Sequence, residues 1–208
     1  MTCTSGTSYI VKAGDTLSLI AQQQLGDANL WPEIKNPDGS SPNPNDLQVG
    51  QELCLPISGS GQINVDQVDF TQYSGGGDIN AWIIEALSAA GLPNTAGWTD
   101  GFLTLCVRES SYDPNAVNTT DSNATGPIVG DGNPEGCSRG VAQCIPSTFA
   151  SYHVAGSSVL IYDPVANIAA ASAYVRDVYG VSEDGSDFAA KVQQADPNRP
   201  PHGYIKRI

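Results

Sequence analysis

Glu109 stands in the run Val107-Arg108-Glu109-Ser110-Ser111-Tyr112-Asp113-Pro114-Asn115-Ala116, at the end of a stretch with helical apolar spacing. The 3.6-residue period puts Phe102, Leu105, Cys106 and Glu109 on one stripe, with Arg108 pointing elsewhere. A carboxyl partly withdrawn from water has its charged form disfavoured, so its pKa rises. That is what a general acid working near neutral pH requires. A solvated surface role is the default for a helical glutamate, and the apolar stripe is what argues against it here. Asp113, Asp121 and Asp131, in the loop that follows, are the acids available as a second carboxylate. Metal chemistry has less to work with. Cys3, Cys54, Cys106, Cys137 and Cys144 form no CxxC, and only His153 and His202 could complete a site, so no metal and no cofactor is expected. Gly75-Gly76-Gly77 lacks a preceding strand and reads as a hinge or turn, not a phosphate loop.

The elements that must hold Glu109 are helical. Asp78 can cap a helix carrying Trp82-Ile83, Ala86-Leu87 and Ala90, ended by Gly91 and Pro93. Thr99 or Asp100 opens the next, Gly101 to Ser110. A polar, aperiodic stretch from Tyr112 to Cys137 then reads as a long loop of the kind that is either functional or disordered. Ser147 caps a helix with Phe149 and Tyr152. Asp163-Pro164 is a cap and first-turn pair for a helix with Val165, Ile168, Ser172, Val175 and Tyr179, ended by Gly180. A last helix runs from Asp187 to Ala195. In the N-terminal part, Ser8–Lys12 reads as a strand, and Asp15 or Thr16 caps a helix with Leu17, Ile20, Ala21 and Leu25. A short helix around Leu30–Ile34 and a turn at Asn36-Pro37-Asp38-Gly39 follow, and Gln51–Pro56 makes a second strand. The fold class is therefore α+β: a βααβ module over 7–57, a Ser/Gly linker over 58–76 and a mainly helical domain over 77–208. Cys3 and Cys54 flank the small module, where a disulfide could tie its ends together.

Composition bounds the partners. The chain has 208 residues with 9 Lys+Arg against 22 Asp+Glu, a formal net charge of −13. That balance argues against nucleic acid and against an anionic membrane surface, since both need a basic face. No stretch approaches the ~18 consecutive apolar residues of a membrane span, and the first residues lack the pattern of a signal peptide. The chain is expected either to leave the cell by another route or to be an excerpt of something longer. A glycan recognised through hydrogen bonds and apolar contacts remains compatible.

Two family resemblances sharpen this. Tyr9–Ala21, with Val11, Gly14-Asp15-Thr16-Leu17 and Ile20-Ala21, followed by Asn36-Pro37 and Val49-Gly50-Gln51-Glu52-Leu53-Cys54-Leu55-Pro56, resembles a LysM domain. The resemblance implies binding of peptidoglycan, chitin or another N-acetylglucosamine-containing glycan. It nominates Gly14, Asp15, Thr16 and Leu17 on one side of a groove, with Asn45, Asp46 and Leu47 on the other. LysM folds also dock onto protein in phage tails and injection machines, so a structural role is the competing implication.

The second half resembles the lysozyme-like fold of soluble lytic transglycosylases and goose-type lysozymes. The carrying residues are Glu109-Ser110, then Ser138-Arg139-Gly140-Val141-Ala142-Gln143 with Pro146 and Thr148, then Asp163–Ile168 with Tyr174. It is similar above all to actinobacterial and actinophage forms, including segments of tail tape-measure proteins. The resemblance implies cleavage of the β-1,4 bond between N-acetylmuramic acid and N-acetylglucosamine, with Glu109 as acid and then base and a 1,6-anhydro product. Hydrolysis with inversion would need a second carboxylate, typically ~6.5–9.5 Å away, to activate water. Ser110, Gln143, Asn167, Tyr174 and Tyr204 become candidate substrate-binding residues. Each has a plainer alternative: local backbone bonding for Ser110, turn structure for Gln143, an internal hydrogen bond for Asn167 and core packing for Tyr174. Tyr204 is the nearest counterpart of the tyrosine that contacts the carboxyl in that family. Cys137 and Cys144 flank the Gly140–Gln143 turn and could clamp it as a disulfide; Cys106–Cys144 is the competing pair. Wall-associated or extracellular action is implied, or action on a virion or injection particle.

Overall fold

The structure, a computed structural model, describes residue 3 and residues 7–25, 28–55 and 61–202. The chain divides into two compact units, residues 1–60 and 61–208. The first is mixed α+β and the second mainly helical.

In the first unit, β1 (Thr7–Ile10) pairs antiparallel with β2 (Glu52–Leu55), Tyr9 opposite Leu53 and Ile10 opposite Glu52. Helix α1 (Leu17–Gln24) lies between them in sequence, and a 3-10 turn over Ala28–Glu33 replaces the expected second α-helix, with Pro32 inside it. Thr16 caps α1: its hydroxyl accepts the Leu19 N–H. Asp15 does something else, accepting the Tyr9 hydroxyl and the Lys12 N–H, each at 2.8 Å. The four apolar positions read from the sequence, Leu17, Ile20, Ala21 and Leu25, are buried with Val11, Ile34, Leu53 and Leu55. An eight-residue helix is marginal alone, so this contact is what stabilises it. The core is small, and a Cys3–Cys54 disulfide closes the unit across a separation of 51 residues.

The second unit begins earlier than the 58–76 linker allowed. Residues 56–60 lie outside the described residues, but residues 61–76 are laid on the helical unit. Ile63 N–H donates to Ala150 O, Asp69 N–H to Val159 O, and Ile161 N–H to Asp69 O. Asn115 brackets Tyr73 with two hydrogen bonds, and the Tyr73 ring meets Trp82 edge-on at 6.1 Å. Apolar side chains spaced through the segment (Ile63, Val65, Val68, Phe70, Tyr73) pack on the core, which a Ser/Gly-based reading undervalues.

Helix α2 (Ile79–Ala89) starts at Asp78, whose carboxylate accepts the Asn80 and Ala81 N–H groups. Helix α3 (Ala96–Ser110) begins earlier than expected, capped by Thr95 and not by Thr99 or Asp100. The extra turn carries Trp98, fully buried against Phe102 and Phe188. Gly101 lets that cluster form, because a Cβ there would come within 2.3 Å of the Phe188 ring. Two-residue strands β3 (Val117–Asn118) and β4 (Ser138–Arg139) pair antiparallel and bracket the long loop. Helix α4 (Pro146–Ser151) starts with Pro146 in its first turn, after Ile145, so Ser147 is inside it instead of capping it. Helix α5 (Pro164–Tyr179) runs from the Asp163 cap to a left-handed Gly180, as its sequence signals indicate, and α2 packs on it. Its alanines are buried. The expected last helix breaks into α6 (Phe188–Lys191) and a 3-10 turn over Gln193–Ala195.

The disulfide yields a test. Closing a loop of this length contributes roughly 4 kcal/mol through the entropy of the unfolded chain. Cys54→Ser should therefore lower the melting temperature of the first unit and leave the second unit's transition in place, as two-transition calorimetry would record.

Candidate active site

Glu109 is half-buried at the last turn of α3, on the stripe of Phe102, Leu105 and Cys106, all of which are fully buried. Burial pushes its carboxyl up, a hydrogen bond from Gln194 pulls it partly back, and the charge of Asp121 raises it further, to about 7. Gln194 Nε2 donates to Glu109 Oε1 at 2.7 Å, and the His202 N–H donates to Gln194 Oε1 at 2.7 Å. Gln194 is only 5% exposed. Immediately after the carboxyl the backbone turns left-handed twice, at Ser111 (φ 55°) and Tyr112 (φ 67°). Consecutive non-glycine residues in this region store strain, and such strain gathers at functional sites.

Facing α3 is the turn 139–144. Arg139 and Cys144 exchange backbone hydrogen bonds, 2.9 Å each. Ser110 Oγ donates to Val141 O at 2.8 Å and to Cys106 O at 3.1 Å, tying the end of α3 to this turn. Gln143 adopts φ 53°, and its amide N–H groups donate to Ala116 O and Gly140 O. Asn167, with no exposed surface, holds the turn from α5. Its Oδ1 accepts the Ala142 N–H, and its Nδ2 donates to Arg139 O and Ile161 O. Gly140 makes room: a Cβ there would meet the Asn167 amide at 2.5 Å, and its φ is +82°.

Several sequence-derived assignments are corrected here. Gln143 keeps its donors for backbone carbonyls, so it holds the turn instead of offering them to a ligand. Asn167 is the internal bond, not a cleft residue, because a helix-interior amide without solvent must satisfy itself locally. Tyr174 is 3% exposed and packs edge-on against Tyr152 and Tyr179, so it is core. Tyr204 lies outside the described residues. Cys137 and Cys144 are buried thiols, not a disulfide. The register pairs Cys144 with Arg139, which leaves Cys137 two residues further along. Cys144 Sγ points to Asn167 O on α5, 3.7 Å away, whereas Cys137 lies beside Arg139. Cys106 is a thiol as well, pushed up by burial and by the charges of Glu109 and Cys144.

The three loop acids separate. Asp131, its side chain 3% exposed, is paired with Arg139 at 2.7 Å and 3.1 Å and accepts the Tyr162 hydroxyl at 2.5 Å. Burial alone would raise its pKa, but these bonds more than offset that and hold it at about 2. The fully buried Arg139 also donates to four carbonyls of the loop, those of Asn133, Pro134, Glu135 and Cys137, and lies over the Phe70 ring at 4.9 Å. Asp131 is thus the anchor of the long loop. Asp113 is exposed and accepts the Asn115 N–H. Asp121 is the acid whose charge reaches Glu109.

In the first unit, the antiparallel register sends residues 11–17 and 45–51 out of the same end of the hairpin. Val11 and the Gly50-Gln51 segment exchange hydrogen bonds there. Gly14, with φ +89°, and Thr16 are exposed, and Asp15 is partly so. Asn45 and Asp46 are exposed, with Asp46 accepting from Gln48 at 2.6 Å. Leu17 is a core residue and Leu47 packs against that core, so neither presents a free side chain.

Residues 90–191 match the family model described as Transglycosylase SLT domain, and residues 9–56 match that of the LysM domain. The chain thus carries a segment that matches the LysM domain, followed by one that matches the transglycosylase SLT domain. Over 112 residues, 52% of the chain, it is 35% identical to "Uncharacterized protein YqbO" of Bacillus subtilis (strain 168). The aligned stretch spans 6% of that protein's length. No solved structure matches.

Within the second unit, two features are not legible in the sequence: Gln194 and the Asp131–Arg139–Tyr162 knot. Both are contacts across sequence that no local period announces. The only signal for Gln194 is a polar residue between Val192 and Ala195, both buried.

Two outcomes follow from this geometry. Asn167→Ala would take a hydrogen-bond partner from the Ala142 N–H and from Ile161 O, while Arg139 O keeps the Cys144 N–H. At about 1–3 kcal/mol for each of the two groups, denaturant unfolding should show a loss of roughly 2–5 kcal/mol. The raised Glu109 pKa favours the fold while the group is protonated, and that contribution is lost as pH rises from about 4.5 to about 7. Glu109→Gln escapes the loss. Its melting temperature should match the parent near pH 4 and exceed it at pH 8, by the equivalent of about 1–3 kcal/mol.

Proposed function

We propose that the chain cleaves peptidoglycan as a lytic transglycosylase, with the LysM domain holding it on the polymer. The observation that carries the reading is Glu109, half-buried, poised near pH 7 and gripped by Gln194. With that pKa, both protonation states are accessible at neutral pH. The acid form can protonate the glycosidic oxygen between N-acetylmuramic acid and N-acetylglucosamine, while the oxocarbenium-like sugar is stabilised by its own acetamido group. The resulting carboxylate can then take the proton from the muramoyl 6-hydroxyl, which closes a 1,6-anhydro ring. One carboxylate serves both steps. Consistent with this, the oxygens of Asp131 are committed to Arg139 and Tyr162, and Asp113 is an exposed turn residue. Hydrolysis is the second reading, favoured by one observation: Asp121 acts on Glu109 through its charge and could activate water. Ser110 would contribute by fixing the turn beside the carboxyl.

The exposed backbone and polar groups of Gly14-Asp15-Thr16 and Asn45-Asp46 support glycan binding by the LysM domain. Tethering raises the local concentration of a catalytic domain on an insoluble polymer. Action at the wall, from outside the cell or from a phage or injection particle, fits these two domains.

Mass spectrometry of fragments from purified peptidoglycan tests the reading: anhydro-muramoyl ends support it, and reducing ends favour hydrolysis. Glu109→Gln should lower turnover by at least about a hundredfold, with folding intact; retained activity would remove the assignment. The free enzyme needs protonated Glu109, so kcat/KM should fall about tenfold per pH unit above about 7. In a peptidoglycan pull-down, a LysM domain that docks onto protein would leave the chain in the supernatant.

A further inference from the structure

The amide of Gln194 has its two ends assigned by its surroundings. The His202 N–H, a donor 2.7 Å from Oε1, obliges that oxygen to accept, which turns the NH2 group onto Glu109 Oε1. The segment carrying Gln194 is itself clamped. Arg108, one residue before Glu109, donates through Nη1 to Gln193 O (3.3 Å) and Gln194 O (3.2 Å), and through Nη2 to Arg199 O (2.9 Å). Arg199 in turn donates to Gln193 Oε1 at 2.8 Å. One turn of α3 therefore presents the carboxyl, and its neighbouring residue secures the strand of chain that grips that carboxyl.

We propose that Gln194 is the positioning residue of Glu109, occupying Oε1 with a fixed donor so that the acid proton resides on Oε2, and that Arg108 is the clamp that delivers it. The inference rests on Glu109 being the acid. In a carboxylic acid the carbonyl oxygen is the better acceptor and the hydroxyl oxygen the donor, so a donor at Oε1 leaves the transferable proton on Oε2. The same bond strengthens when the group ionises, so Gln194 opposes the effect of burial. The other titratable or charged groups around Glu109 are Asp121 on the long loop, Cys106 on α3 itself, and Arg108, Arg199 and His202 at the clamp.

The test is Gln194→Met, which keeps length and removes both donors. The Glu109 carboxyl signal, identified in the 13C-glutamate spectrum of the full chain by its absence in Glu109→Gln, should titrate about one pH unit higher than in the parent, a tenfold change in proton affinity. The alkaline limb of the pH–rate profile should move up by the same unit, and kcat should drop about tenfold or more with little change in KM. Arg108→Met retains the amide but releases the clamp, and should shift the titration in the same direction by less; it carries the test if the Gln194→Met chain fails to fold. A titration that stays in place or moves down overturns the proposal. Should Glu109→Gln keep full turnover, the acid assignment falls instead, while the carboxyl titration still reports on the Gln194 bond.

Discussion

Burying the Asn167 amide in the first turn of α5 imposes a condition that much of the second unit satisfies. An unpaired amide there would be costly, and its three partners are backbone groups at Arg139, Ala142 and Ile161. Meeting that condition fixes the turn 139–144 against α5. From there the constraint spreads in two directions. Ser110 ties the turn to the end of α3 and so to Glu109, and the Arg139 side chain gathers the long loop through Asp131, Tyr162 and four carbonyls. The geometry around the carboxyl is thus set by hydrogen bonds made to a rigid helix, which is how a site gains precision beyond that of an isolated loop.

The electrostatics follow from the same packing. Glu109 is kept where water cannot fully solvate its charge, and this works against the fold at neutral pH. The neighbouring Arg139–Asp131 pair is treated in the opposite way, with each oxygen and nitrogen given a partner in a nearly dry setting. Two carboxyls of one domain end at about 7 and about 2. Environment separates them: one has a single amide donor, and the other a guanidinium and a phenol.

What the sequence disclosed were the features built from local rules. The apolar stripe of α3 and its terminal carboxyl, the Asp78 and Asp163 caps, the Gly180 stop and the small module's apolar spacing all depend on residues within a few turns of one another. The start of α3 was less legible: Thr99 or Asp100 looked like the cap, whereas Thr95 caps the helix and the added turn buries Trp98. For Gln143, Asn167 and Tyr174 the sequence left two readings open, and the packing follows the plainer one of each: turn structure, an internal hydrogen bond and core. Their types suit a ligand-facing surface and a satisfied interior equally, and only three-dimensional neighbours choose. Residues 61–76 showed the same limit in reverse, since a stretch composed like a spacer is held by hydrogen bonds to Val159, Ile161 and Asn115.

The partner of Glu109 arrives 85 residues later in the chain. Ribosomes release the N-terminal part first, and domains fold as units when enough of them has emerged. A nascent polypeptide can therefore build the first unit and most of the helical scaffold while the carboxyl still lacks its amide donor. The hydrogen bond to Glu109 waits for the segment that brings this amide, so a ribosome-stalled or clipped product ending before it would carry the first unit and Glu109 without the Gln194 donor.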